Sequence, residues 1–103
     1  MSIKVFTEYK IKREEEAFYR SFLHEVLMFH REQWGISDFQ IFEGTDQNYL
    51  FVEEFHVGNL ELYKNYKEER LQEKNQLWNR LHKCIEGGRD KVHIWAFQSL
   101  DIS

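Results

Sequence analysis

The sequence has no proline and a single cysteine, Cys84. Without proline, no position is barred from an uninterrupted helix or a central strand. One thiol rules out an intramolecular disulfide, and no Cys/His cluster has zinc-ligand spacing. That usage fits a reducing compartment, the cytoplasm. No run approaches the ~20 apolar residues of a membrane-spanning helix. The opening MSIKVFTEYKIK alternates where a secretion signal would run apolar. An excess of positive charge is also missing, with 14 Lys and Arg against 18 Asp and Glu. The basic stripe of a nucleic-acid binder is therefore not expected. Nor is there a glycine-rich phosphate loop, a G-x-S-x-G elbow or an H-E-x-x-H helix. His24-Glu25 lacks the second histidine that zincin chemistry needs.

What the chain has in quantity is aromatic residues. Trp34, Trp78 and Trp95 accompany nine Phe and five Tyr in 103 residues. That length makes one domain over residues 1–103, with enough bulky apolar area for one modest core.

Residues 3–11 alternate as a strand, with Ile3, Val5, Thr7, Tyr9 and Ile11 on one face and Lys4, Phe6, Glu8 and Lys10 on the other. Residues 13–34 read as one helix with a broad apolar side and Gly35 placed to end it. Residues 38–43 and 49–57 read as strands joined by Gly44-Thr45-Asp46-Gln47-Asn48, a turn-rich hairpin loop. Asn59 is a candidate N-cap for a long second helix ending at Gly87-Gly88. Its stripe is Leu60, Tyr63, Leu71, Leu77, Trp78, Leu81 and Ile85; the pattern weakens over 64–70, where a kink or a split would fall. Residues 91–100 form the last strand, with His93, Trp95 and Phe97 on one face.

The order βαββαβ folds most simply as an α+β, ferredoxin-like domain: one antiparallel sheet with both helices on one face. Phe6, Trp95 and Phe97 then lie on the uncovered face. A soluble chain rarely leaves such a patch in water. Pairing with a second copy through that face, by two-fold symmetry, covers it, so a homodimer is expected.

The strand IKVFTEYKI, the hairpin DFQIFEGTDQNYLFVEEFHV leading into a helix, and the closing GGRDKVHIWAFQ carry a resemblance over nearly the whole chain. The layout resembles the dimeric α/β-barrel superfamily, nearest to its antibiotic-biosynthesis-monooxygenase-like and NIPSNAP-like members. That resemblance implies two ferredoxin-like subunits with sheets packed into one barrel, and it implies no particular chemistry. Haem-degrading members use an Asn on the first strand with a Trp and a His. No Asn stands on the first strand here, so no catalytic residue is carried over.

Candidate site residues come from polar groups set in apolar patterns. His30 lies in the apolar stripe of the first helix and reads either as a base facing a cavity or as a satisfied core histidine. Glu53 and Glu54 interrupt an apolar strand and point to opposite faces, as cavity acids or bases or as structural ion-pair members. Lys67, Arg70 and Lys74 cluster on one side of the second helix. They could hold an anion at a cavity mouth, with Arg70 the bidentate contact, or stand in solvent. His82 and Cys84 are two apart on a helix and make a poor metal pair. The expectation is a pocket between helices and sheet, lined by Tyr9, Phe18, Phe22, Val26, Trp78 and Leu81, with His30, Tyr9, Arg70 or a strand glutamate as its polar element. It would bind a small hydrophobic or anionic molecule. No metal, cofactor, nucleic acid or membrane is expected. The alternative is a cofactor-free monooxygenase- or isomerase-like enzyme using His30, Glu53 or Glu54 as base.

Overall fold

A computed structural model describes residues 2–72 and 74–102 of the chain. Four strands, β1 (Ile3–Lys10), β2 (Gln40–Glu43), β3 (Leu50–Val57) and β4 (His93–Phe97), form one sheet in the order β2-β3-β1-β4. Every pairing is antiparallel. Strands that are consecutive in sequence but not neighbours in the sheet are joined by helical crossovers. The result is the ferredoxin-like α+β arrangement.

Strand alternation decides the two faces. Ile3, Val5, Thr7 and Tyr9 of β1 are buried, as are Phe51, Glu53, Phe55 and Val57 of β3 and Ile94 of β4. Against this face pack the helices α1 (Glu16–Ser21), α2 (Leu23–Trp34), α3 (Leu60–Arg70) and α4 (Gln76–Cys84). The opposite face carries Phe6, Phe42, Val52, Trp95 and Phe97 around an open trough of about 710 Å³. Trp95 and Phe97 are 46% and 53% exposed, so this face presents an apolar patch to solvent.

Both helical segments are broken where the sequence reads continuously or nearly so. The first opens with a 3-10 turn (Arg13–Glu15) and then divides into α1 and α2 at Phe22, whose φ of −116° and ψ of 16° leave the helix. The Ser21 hydroxyl donates to the Phe18 carbonyl at 2.5 Å, and the Phe22 amide bonds back to Tyr19. A hydroxyl competing for a backbone carbonyl tightens a last turn in this way. The break turns both Tyr19 and Phe22 into the core and leaves Phe18 47% exposed, so Phe18 is no pocket wall. Gly35 ends α2 in the left-handed region at φ 64°, letting the Ile36 amide reach the His30 carbonyl at 3.0 Å.

The second segment splits into α3 and α4 just beyond Arg70. Each half has its own asparagine cap: Asn59 Oδ1 accepts from the Leu62 amide at 2.9 Å, and Asn75 Oδ1 accepts from the Leu77 amide at 2.8 Å. The split moves the buried face of α3 away from the expected stripe. Leu60 is exposed, while Tyr66 and Arg70, four residues apart, point inward. Among the described residues, no helix is long and apolar enough to cross a membrane.

Removing the Asn59 cap tests the local account. Asn59→Ala is expected to cost about 1 kcal/mol, read as a lower urea midpoint with an unchanged denaturant slope.

Candidate functional site: a buried polar cluster under the helices

The interior between helices and sheet holds an ion pair. Arg70, at the last turn of α3, donates from Nη2 to Glu53 Oε2 at 2.6 Å, and both side chains are fully buried. Glu53 reaches this position because β3 turns alternate residues inward, which sends Glu54 to the opposite face. There Glu54 pairs with Lys4 at 2.9 Å beside the open trough. The two carboxylates are thus parted by the sheet, and Glu54 is outside the interior site. Tyr9, on β1, donates its hydroxyl to the same Glu53 oxygen at 2.6 Å. Since that proton is committed to the carboxylate, Tyr19 is the donor in the 2.7 Å Tyr19–Tyr9 hydroxyl contact.

Above the pair, the Arg70 guanidinium lies 4.1 Å from the ring centre of Trp78 on α4. A desolvated cation over an indole face is a favourable contact. Burial disfavours the charged form of Arg70, but the Glu53 carboxylate together with Tyr66 and Tyr9 outweighs it and holds the guanidinium firmly protonated. Burial, reinforced by Glu53, likewise raises the Tyr9 hydroxyl well above its ordinary range, so Tyr9 stays a donor.

His30 sits nearby and is fully buried. Its Nδ1 lies 2.8 Å from the Val26 carbonyl, so that nitrogen carries the proton. Its Nε2, 2.7 Å from the Tyr66 hydroxyl, is then the acceptor. The ring stacks on Phe39, with centroids 3.9 Å apart. Burial pushes its pKa down to about 4. With both nitrogens engaged, His30 is a neutral, satisfied core histidine and is poorly placed to collect a proton from a bound molecule.

Several buried polar atoms in this layer lack a hydrogen bond of good geometry: Arg70 Nε and Nη1, Glu53 Oε1, Trp78 Nε1 and Thr7 Oγ1, although the Tyr66 hydroxyl is close enough to interact with both Arg70 and Thr7. Unpaired groups of this kind are costly, about 1–3 kcal/mol each, and more when charged. Tyr9, Phe22, Val26, Arg70 and Trp78, the expected ligand-binding residues, are all buried together here. They rest on one another, with Tyr9 on Glu53 and Arg70 on Trp78. The expected three-cation group does not form, because Lys67 and Lys74 are exposed while Arg70 turns into the core.

Three members were not singled out in the sequence as polar elements: Thr7, Tyr19 and Tyr66. Thr7 was legible as the one aliphatic-sized polar residue on the inward face of β1. Tyr66 could have been found from its spacing of four from Arg70. Among the described residues, no group of three or more His, Cys, Asp or Glu could hold a metal ion.

No family model matches the chain, and no curated protein matches its sequence. Solved structures do match. An antibiotic biosynthesis monooxygenase superposes with a TM-score of 0.69 at 14% identity, over 96% of this chain and 99% of that one. A NIPSNAP family protein from Agrobacterium tumefaciens gives 0.71 at 15% identity, over 99% and 89%. The fold is the ABM-like and NIPSNAP-like ferredoxin-like fold. SnoaB, a cofactor-independent oxygenase from Streptomyces nogalater, also shares this ABM-like fold, with a TM-score of 0.69 at 10% identity over 97% and 94%. At such identities the likeness is one of backbone, and the interior cluster has to be read from its own residues.

The buried histidine makes stability depend on acid. An unfolded His30 titrates near 6.5 and the native one near 4, so between those values the unfolded chain binds more protons. His30's contribution is complete above pH 6.5 and falls as the pH drops toward 4, by on the order of 3 kcal/mol. His82, also lowered by burial to about 4, acts in the same direction. Urea unfolding at pH 7 and pH 5 should show a lower midpoint at pH 5, with a smaller drop in His30→Gln. Equal drops in the two proteins would remove His30 as the source. For the ion pair, Arg70→Met is expected to cost about 3–5 kcal/mol by leaving Glu53 buried without its partner. The Arg70→Met/Glu53→Met double variant should be more stable than the sum of the single losses, a coupling that a double-mutant cycle measures.

Proposed function

We propose that the chain is a homodimeric small-molecule-binding protein. Its ligand is a small aromatic or aliphatic molecule with a polar or anionic end, held between helices and sheet. The observation that carries this reading is the buried Arg70 guanidinium, whose Nε and Nη1 have no well-formed partner beyond the nearby Tyr66 hydroxyl, with Trp78 Nε1 unpartnered beside it. A guanidinium is a planar fork suited to a carboxylate or enolate oxygen pair. Here it stands over the ring of Trp78 and near that of Tyr9, within the core to which Phe22, Val26 and Leu81 belong. Because these side chains rest on one another, the ligand enters by local opening of the helical layer. The division of that layer into short helices gives it places to part.

The homodimer reading rests on the open face. Trp95, Phe97 and Phe42 are about half exposed around one trough, flanked by the Lys4–Glu54 pair. A second copy packed sheet to sheet buries these aromatics, which are the residue types enriched at such interfaces. The single thiol Cys84 is buried, with its pKa raised by burial to about 11, which suits a protein kept in the reducing cytoplasm.

A second reading is favoured by the shared fold with SnoaB, a cofactor-independent oxygenase. In that reading the protein is a cofactor-free monooxygenase- or isomerase-like enzyme that desolvates an enolisable substrate and accepts its proton. Glu53 is then the better base than His30, since its Oε1 has no partner while both His30 nitrogens are occupied. Glu54, on the far face, has no part in it.

Native mass spectrometry tests the assembly: a species at twice 12.7 kDa is expected, and a monomer at micromolar concentration overturns the dimer. Titration with 2-hydroxybenzoate and with medium-chain fatty acids tests the ligand class. Saturable quenching of tryptophan fluorescence and a raised melting temperature are expected for at least one of them. Neither effect with any of these ligands overturns the binding reading. Turnover of an enolisable substrate that Glu53→Gln abolishes without loss of binding would decide for the enzyme.

A further inference from the structure

The outer face of the sheet carries a cluster of titratable side chains whose histidine the proposed function does not use. The cluster is a row across the strands. Lys4 of β1 stands opposite His56 of β3. Gln40 of β2 faces Glu54, and the same register carried two residues back sets Asp38 beside His56. The imidazole is thus flanked by an ammonium-bearing position on one side and a carboxylate on the other. Asp38 grips it twice: one carboxylate oxygen accepts from the ring Nδ1 at 2.6 Å and the other from the His56 amide at 3.3 Å. Nδ1 therefore carries the proton, and Nε2, on the other side of the ring, keeps its lone pair. Among the described residues, none bonds to Nε2, and the side chain is 45% exposed, so that nitrogen is reachable from solvent.

A depression of about 340 Å³ opens at this row, with Lys4, Ser37, Asp38, Gln40, Glu54 and His56 in its lining. It adjoins the aromatic trough and shares Lys4, Glu54 and His56 with it. The segment 37–40 lines the depression and not the trough, so a second copy seated on the aromatics need not cover it. We propose that the His56–Asp38 dyad is a general-base site for a small carbon acid, a molecule whose C–H is acidified by an adjacent carbonyl, imine or nitro group. His56 Nε2 takes the proton, and the C–H electron pair stays on the substrate as an enolate-like anion. The Asp38 carboxylate, already bonded at Nδ1, faces the imidazolium so formed. Burial alone would raise the Asp38 carboxyl, but the bonds from the His56 ring and amide outweigh it and hold it below its ordinary value, so it is ionised at neutral pH. Lys4, held by Glu54 at 2.9 Å, is the cation across the strand from His56 and faces the anion. His56 is the catalytic residue and Asp38 its positioning residue. His30 has no such opening, since both its nitrogens are occupied. The site lies on the opposite face of the sheet from Glu53 and stands independently of the interior reading.

Proton removal is read out with 5-nitrobenzisoxazole. When a base takes its C3 proton, the C–H electron pair completes a nitrile, the N–O bond breaks, and the oxygen leaves as a coloured phenolate. Saturable turnover by the purified protein, above the rate in buffer alone, is expected at neutral pH. His56 and Asp38 are both about half exposed, so His56→Gln and Asp38→Asn should fold normally. His56→Gln is expected to lower kcat/KM about a hundredfold, the loss of a positioned base. Asp38→Asn is expected to lower kcat about tenfold and leave KM unchanged, because ring orientation acts on the proton transfer and not on binding. His24, exposed on α2, is the control for unspecific imidazole catalysis, and His24→Gln should turn over like the parent protein. Turnover that does not saturate, that survives in His56→Gln, or that falls equally in His24→Gln overturns the site. An unchanged kcat in Asp38→Asn overturns the dyad.

Discussion

The interior of this protein depends on one buried charge pair. Arg70 and Glu53 come from consecutive elements, 17 positions apart, and both are withdrawn from water completely. Two charges desolvated together are stable only while they stay together. That condition ties the end of α3 to the centre of β3. Tyr9 brings β1 into the same node through the shared Glu53 oxygen, Tyr19 extends it to α1, and Trp78 closes it from α4. The aromatic residues so plentiful in the sequence are largely the housing of this node. Tyr66, His30, Phe39 and Phe55 form a second cluster beside it.

The two faces of the sheet have different physical problems. The inner face is closed, and its cost is paid in polar atoms that lack well-formed partners. The outer face is open, with its aromatics half in water beside the Lys4–Glu54 ion pair and the His56–Asp38 contact. Strand periodicity creates both conditions at once. The same alternation that buries Glu53 delivers Glu54 to the trough, and the same β1 that buries Tyr9 presents Phe6 outward. The open aromatic face and the closed polar interior are therefore separable features of one sheet.

Much of this was legible along the chain. Element order, the antiparallel sheet, the glycine at the end of α2 and the asparagine at the start of α3 all follow from local chemistry, which acts between residues a few positions apart. The opposite placement of Glu53 and Glu54 follows from the period of a strand. The break at Phe22 was not legible, because it hangs on one hydroxyl choosing a carbonyl, a local competition that helix and coil both permit. The buried face of α3 was misplaced for a related reason. Apolar residues were counted as the inward ones, whereas Tyr66 and the cation Arg70 go in and Leu60 stays out.

By itself, then, the sequence determined what periodicity and local hydrogen bonding determine: which segments are strands and helices, which strand residues share a face, and that one face would be left aromatic and uncovered. Tertiary structure alone decided the fate of the polar residues. An arginine is buried only if a carboxylate meets it, and a histidine is neutral and satisfied only if a carbonyl and a hydroxyl flank its two nitrogens. Those partners lie 17 positions away for Arg70 and 36 for the Tyr66–His30 contact. No pattern in a single chain reports such meetings, because the energy of a desolvated polar group is set by what folding brings against it and not by its neighbours in sequence.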